Sequence, residues 1–159
     1  MTLHIRPLTE KDIPTFLDLV QGLADYESLP GPDEEARARM AQDALADPPV
    51  FHVLLAEQDG RLVGYSLFFF TYSTFLARPT LWVEDIFVLP SERGNGTGRM
   101  LMRELAREAV RRGCGRMEWS ALDWNKTAIA FYEGLGAKQM SEWRLFRLTA
   151  TELAIAAEG

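Results

Sequence analysis

The chain of 159 residues has a single cysteine, Cys114. One thiol builds neither an internal disulfide framework nor a cysteine metal site, and its place in the turn-like stretch RRGCGR (111–116) reads as a small structural residue. Positive charge is also scarce. Lys and Arg number 17 against 23 Asp and Glu, a net charge of −6, so the basic face required by a general nucleic-acid binder is missing. No apolar run approaches the ~20 residues of a membrane span; the apolar stretch around YSLFFF (65–70) falls far below it. The N-terminal stretch MTLHIRPLTEKD carries no apolar signal region. Internal repeats and low-complexity segments are absent too. These absences lead to the expectation of one soluble, cytoplasmic domain over 1–159, with no metal, nucleic-acid or membrane partner.

What is present draws attention to SERGNGTGRMLMRELAREAV (91–110). From Met100 onward, Leu101, Met102, Leu105, Ala106, Ala109 and Val110 form an apolar stripe at helical spacing, with Arg103, Glu104, Arg107, Glu108 and Arg111 outside it. Three glycines, Gly94, Gly96 and Gly98, precede it. Glycine costs roughly 1 kcal/mol against alanine inside a helix. At a helix N-terminus it instead lets a ligand approach the unpaired amides, where an anion is favoured. The loop ends Gly98-Arg99-Met100, which argues against a nucleotide-triphosphate loop, since that needs Gly-Lys-Ser/Thr. Arg99 stands where the dinucleotide fingerprint needs its third glycine. Taken alone, the glycines fit an anion site or a tight strand-to-helix turn equally.

The remaining pattern is that of a mixed α/β sheet. Strands are expected at 3–8, 51–58, 61–72, 80–89, 116–122 and 143–149, with Asp59-Gly60 as a hairpin turn. Helices are expected after a Thr9/Asp12 capping box to about Ala24, over Asp33–Leu45, over the glycine helix, from Lys126 to Leu135 with Gly136 as its C-cap, and briefly in TELAIAAE. Strand 80–89, the glycine helix and strand 116–122 form a parallel β-α-β crossover; the other strands are antiparallel.

Two acids, Glu84 and Asp85, interrupt the apolar strand 80–89. Alternation groups Trp82, Glu84, Ile86 and Val88 on one face and Leu81, Val83, Asp85 and Phe87 on the other. Carboxylates are rarely fully buried unless paired. An arginine partner would satisfy either acid; two acids just before the glycine loop favour a polar cleft. In LDWNKTAIAFYEGLGA (122–137), Asn125 suits an N-cap and shares a helical face with Ala128, Ile129 and Tyr132.

VEDIFVLPSERGNGTGRMLM and NKTAIAFYEGLGA together resemble the GNAT superfamily of N-acetyltransferases. Arg93-x-x-Gly96-x-Gly98 is similar to that family's acetyl-CoA loop, and Asn125, Ala128, Phe131-Tyr132 and Leu135-Gly136-Ala137 to its second motif. LADYESL, FFFTYSTF, LDWN and SEW look like the diamine acetyltransferase branch, which includes polyamine and thialysine enzymes.

The resemblance implies a single GNAT-like domain whose splayed strands hold acetyl-CoA. The loop residues Arg93, Gly94, Asn95, Gly96, Thr97, Gly98 and Arg99 would carry the pyrophosphate. Ile86, Phe87 and Val88 would pair with the pantetheine arm, and Asn125, Ala128 and Tyr132 would contact the coenzyme as well. Relatives often have Glu-Pro where this chain has Lys126-Thr127, and basic residues where it has Glu133-Gly134. The 3′-phosphate contact would then fall to Arg99, Arg103 or Lys126. Tyr132 is the implied general acid. Glu84 suits amine positioning and water-mediated proton acceptance. Tyr26, Glu27, Glu118, Trp119, Ser120 and Glu142 would contact the substrate, with Glu27 and Glu142 anchoring distal positive charge. A homodimer is implied likewise. Two rival functions stay open: acetylation of another amine, such as a protein N-terminus or amino sugar, and acyl-CoA binding without turnover. Both Tyr132 and Glu84 being present argues against the latter.

Overall fold

The computed structural model describes residues 2–159, which divide into two compact units, 2–120 and 121–159. The first is a five-stranded sheet in the order β1 (Leu3–Pro7), β2 (His52–Gln58), β3 (Arg61–Ser73), β4 (Arg78–Val88), β5 (Arg116–Trp119). The first four strands are antiparallel neighbours, and β4 and β5 are parallel. Asp59 and Gly60, both at positive φ, turn β2 into β3 as expected of an Asp-Gly hairpin.

Helix α1 (Ile13–Glu27) covers one face of the sheet. Phe16, Leu17 and Leu19 pack there with Val53, Leu55, Tyr65, Leu67 and Phe87. Helix α3 (Thr97–Arg111), the crossover between the parallel strands, packs Leu101 with Ala56, Val63 and Val88. Helix α2 (Glu34–Leu45) is capped by Asp33, whose carboxylate accepts from the Ala36 amide at 2.8 Å. It buries none of its residues fully, in keeping with its polar sequence.

One register feature overturns the simple alternation expected for 80–89. Leu67 lies opposite Asp85 while Phe68 lies opposite Val83, so Glu84 is an extra residue, a β-bulge. Residues directly opposite share a face. Trp82 therefore falls with Asp85 and Phe87, opposite Phe69, and not with Ile86 and Val88. Leu81 and Val83 fall with Ile86, on the face of Phe70, Phe68 and Ser66.

In the second unit, Asn125 caps α4 (Lys126–Gly134) by accepting from the Ala128 amide at 3.2 Å. Gly136, at φ 95°, ends it as expected. Helix α5 (Ala150–Glu158) starts with a Thr149/Glu152 capping box and runs longer than the turn or two expected. The strand expected at 143–149 does not form. A strand exists only through a ladder partner, and none of these residues has one; Leu145 and Phe146 stand 84% and 91% exposed. Strand 116–122 is likewise shorter than expected, pairing only through Trp119.

A charged knot ties β1 to the entry of α1. The buried Asp12 carboxylate accepts from Arg6 at 2.8 and 2.9 Å and from the Thr9 amide at 2.8 Å, completing the expected capping box. The Arg6 hydrogen bond is the main reason Asp12 titrates well below the usual carboxylate range. Because the folded-state pKa is depressed, this stabilisation is complete above the ordinary aspartate value of 3.8 and is lost as pH falls beneath it. Asp12→Asn should cost about 2 kcal/mol at pH 7. Urea unfolding of both proteins should show the gap narrowing only in stronger acid.

Candidate active site

Glycines 94 and 96 adopt φ of 83° and 84°, a left-handed backbone that other residues enter only at a cost. Nothing lies within 4 Å of where a Cβ would stand at either, so the backbone there is open to a ligand. Gly96 is the N-cap of α3 and supplies no side-chain cap; the first intrahelical bond of the helix runs from the Met100 amide to the Gly96 carbonyl. The amides of Thr97, Gly98 and Arg99 thus remain without an intrahelical acceptor. Thr97 is 1% exposed, and its Oγ1 has no hydrogen-bond partner among the described residues. A buried, unsatisfied hydroxyl beside an uncapped helix end fits an anion that would satisfy both. Arg99 and Arg103 are exposed on the first turns of the same helix and form no ion pair among the described residues. The pyrophosphate of a coenzyme fits this donor set.

Strand β4 leads into that loop. Its pairing with β5 runs from Thr80↔Arg116 to Val83↔Trp119 and stops. Glu84 to Val88 continue with β3 on one side and no strand on the other, the splay anticipated for the coenzyme arm. Ile86, Phe87 and Val88 lie along that open edge. Arg93 closes the end of the strand. Its Nε donates to the Val88 carbonyl at 2.8 Å, and its guanidinium sits 4.3 Å over the Tyr26 ring and 5.6 Å from that of Phe87. The Arg93 side chain is thereby committed to the protein, while Gly94 and Asn95 are exposed.

Arginine satisfies neither acid of β4. Glu84 is exposed at the bulge and accepts from Trp82 Nε1 at 2.9 Å. Asp85 accepts from the Tyr65 hydroxyl at 2.9 Å. Burial raises Asp85 to about 6; the Tyr65 hydrogen bond pulls the other way, and the charges of Glu84 and Glu27 add to the rise. Glu27, the last residue of α1, is also raised by burial. The charges of Glu84 and Glu27 both reach Asp85, and Tyr26, next to Glu27 in the chain, lies under the Arg93 guanidinium. Glu118 lies in β5 opposite Trp82, with an Arg116 partner at 3.4 Å, followed by Trp119 and Ser120. Asn125, Ala128, Tyr132 and Glu142 belong to the second unit; the Tyr132 ring lies 5.5 Å from that of Phe131.

The sequence does not single out Tyr65; it marks Asp85 only as one of two acids favouring a polar cleft, and Thr97 only as a member of the glycine loop. A tyrosine inside the apolar run YSLFFF was the available signal, since a buried phenol requires a partner. Cross-strand pairing of 61–72 with 80–89 puts Asp85 within its reach.

An open-edged strand thus runs into an uncapped glycine loop, on a mixed sheet with a parallel crossover. The Acetyltransferase (GNAT) family profile matches residues 16–137, and the chain belongs to that family. It is 35% identical over 154 residues to thialysine N-epsilon-acetyltransferase of Bos taurus, a match that covers 90% of each chain. Among solved structures, a V. cholerae integron cassette protein aligns with a TM-score of 0.85 at 22% identity, covering 100% of this chain and 99% of the other. An aminoglycoside N-acetyltransferase in complex with CoA aligns at 0.78 and 21%, covering 94% and 96%. The protein is an N-acetyltransferase. Among the described residues no helix is long and apolar enough to cross a membrane, and no group of three His, Cys, Asp or Glu side chains could hold a metal ion.

Thr97→Val removes the orphaned hydroxyl while keeping the shape. Differential scanning calorimetry should show the free protein unchanged or more stable, since a buried unsatisfied group costs about 1–3 kcal/mol. Calorimetric affinity for coenzyme A should fall by about tenfold, the loss of one hydrogen bond to a charged group. A bulky residue at Gly96 should weaken the same affinity more strongly.

Proposed function

We propose that this N-acetyltransferase moves the acetyl group of acetyl-CoA onto a primary amine of a small cationic substrate: a diamine, a polyamine, or a thialysine- or lysine-like amino acid. The reaction runs by direct attack in a ternary complex, with 1–159 acting as one catalytic domain in the cytoplasm. The observation that carries the reading is the position of Glu84. It is exposed at a bulge, at the point where β4 loses its β5 neighbour and continues toward the uncapped α3. The similarity to a thialysine acetyltransferase over most of the chain supports the amine class.

Acetyl-CoA supplies the acyl group as an activated thioester. The amides of Thr97, Gly98 and Arg99, the Thr97 hydroxyl and the open backbone of Gly94, Asn95 and Gly96 would hold its pyrophosphate. Arg99, Arg103 or Lys126 would hold the 3′-phosphate. The open edge of Ile86, Phe87 and Val88 would take the extended arm, with Asn125 and Ala128 as further contacts. Unpaired strand amides are suited to stabilising a developing oxyanion. An alkyl amine of pKa about 10 is almost wholly protonated at neutral pH and must lose a proton before it can attack. Glu84 would accept that proton through water, and the Tyr132 hydroxyl would supply one to the coenzyme sulfur. Tyr26, Glu27, Glu118, Trp119, Ser120 and Glu142 would hold the distal cationic part.

The test is thiol release from acetyl-CoA across a panel of diamines, polyamines and basic amino acids. Tyr132→Phe should lower single-turnover rate by about 10²–10⁴-fold with near-normal coenzyme affinity. Replacing Glu27 or Glu84 by Gln should raise KM for the amine far more than for acetyl-CoA. A Phe variant at wild-type rate removes Tyr132 from the chemistry, and equal effects of the Gln variants on both substrates make those acids structural.

The working form we propose is a homodimer. Trp143, Leu145, Phe146 and Leu148 are all exposed in a segment without strand partners, and covering one such side chain is worth about 1.5–3 kcal/mol. Light scattering of an active sample should give the dimer mass, and charged replacements at Leu145 and Phe146 should shift it toward monomer. A monomer mass at full activity overturns the dimer.

A further inference from the structure

Tyr65 is an expensive choice for a core position. It is fully buried, 0% exposed, in the middle of β3. Its ring is fixed by an edge-on contact with Phe16 at 5.4 Å and a tilted one with Phe87 at 6.4 Å. Phenylalanine would fill that box without a polar atom to satisfy. The hydroxyl's hydrogen bond reaches diagonally across the ladder, from the residue opposite Phe87 to the Oδ2 of Asp85. Asp85 is in turn the first residue after the bulge that exposes Glu84.

We propose that Tyr65 is a positioning residue for amine acetylation: its fixed hydroxyl holds the Asp85 carboxylate, ionised and oriented, next to Glu84, so that the incoming ammonium meets a prepared acid pair. This rests on the amine-acetyltransferase reading above. The groups that act on Asp85 are Tyr65 from β3, Glu84 on its own strand and Glu27 from the end of α1; the Arg93 guanidinium lies on the rings of Tyr26 and Phe87. Both neighbouring acids favour the protonated form of Asp85, and the Tyr65 hydrogen bond opposes them. Without the phenol, the carboxyl would be left to burial and like charge, would hold its proton to higher pH and would be free to rotate. The order of these effects decides the sign of the test: Tyr65→Phe raises the Asp85 pKa.

The experiment is a pH profile of kcat/KM for the amine in wild type and Tyr65→Phe, paired with a carboxyl ¹³C NMR titration of Asp85 in the free proteins. The acid limb and the NMR midpoint should both move up by about 1 pH unit, the free energy of one hydrogen bond to a charged group. KM for acetyl-CoA should stay put. A purely structural tyrosine would lower thermal stability and leave the limb where it was, which overturns the inference while leaving amine acetylation standing. Wild-type protein that turns over no amine overturns the functional reading itself, and the role of Tyr65 with it. Should Tyr65→Phe not fold, Asp85→Asn decides: loss of the acid limb supports the role, and an unchanged limb refutes it.

Discussion

Parallel pairing of β4 with β5 is the constraint from which the rest follows. Two parallel neighbours cannot be joined by a hairpin, so the chain must leave the end of β4, cross the sheet as α3 and return. That crossover delivers a helix N-terminus to the end of the strand that carries Glu84 and Asp85. The pairing lasts four residues, Thr80 to Val83. Beyond it the strand edge has no partner, and the bulge at Glu84 falls at this point of departure. Donor-rich loop, open edge and acidic bulge are thus one consequence of a short parallel ladder.

Most of this architecture was legible because each element states its own period or punctuation. The Asp59-Gly60 turn, the Asn125 cap and the Gly136 stop are local signals, and all appear where expected; the stripe of α3 buries Leu101, Met102, Leu105 and Ala109 but leaves Ala106 and Val110 exposed and buries Glu108, which the spacing puts outside it. The glycine loop was legible for the same reason, since positive φ at Gly94 and Gly96 is a backbone demand that sequence displays directly. What failed was non-local. The 143–149 segment has strand composition, but a strand is a relation between two segments and composition names only one. The bulge was invisible in the same way: alternation within 80–89 is perfect on paper, and only the register against β3 shows that one residue is surplus.

Buried charge is handled in two contrasting ways. Asp12 is compensated in full by Arg6 and the Thr9 amide, and its carboxylate is held ionised by that surplus of donors. Asp85 receives one neutral donor and faces two like charges. The first arrangement favours a fixed structure at the mouth of α1. The second leaves a carboxyl poised near neutrality, the condition in which an acid is useful for handling protons.

Arg93 adds a consequence of its own. Its partners are the Val88 carbonyl and the face of the Tyr26 ring, neither of them a carboxylate. Asp85, raised to about 6 chiefly by burial, is one. Mild acid therefore discharges one part of the neighbourhood and leaves the clasp that shapes it intact.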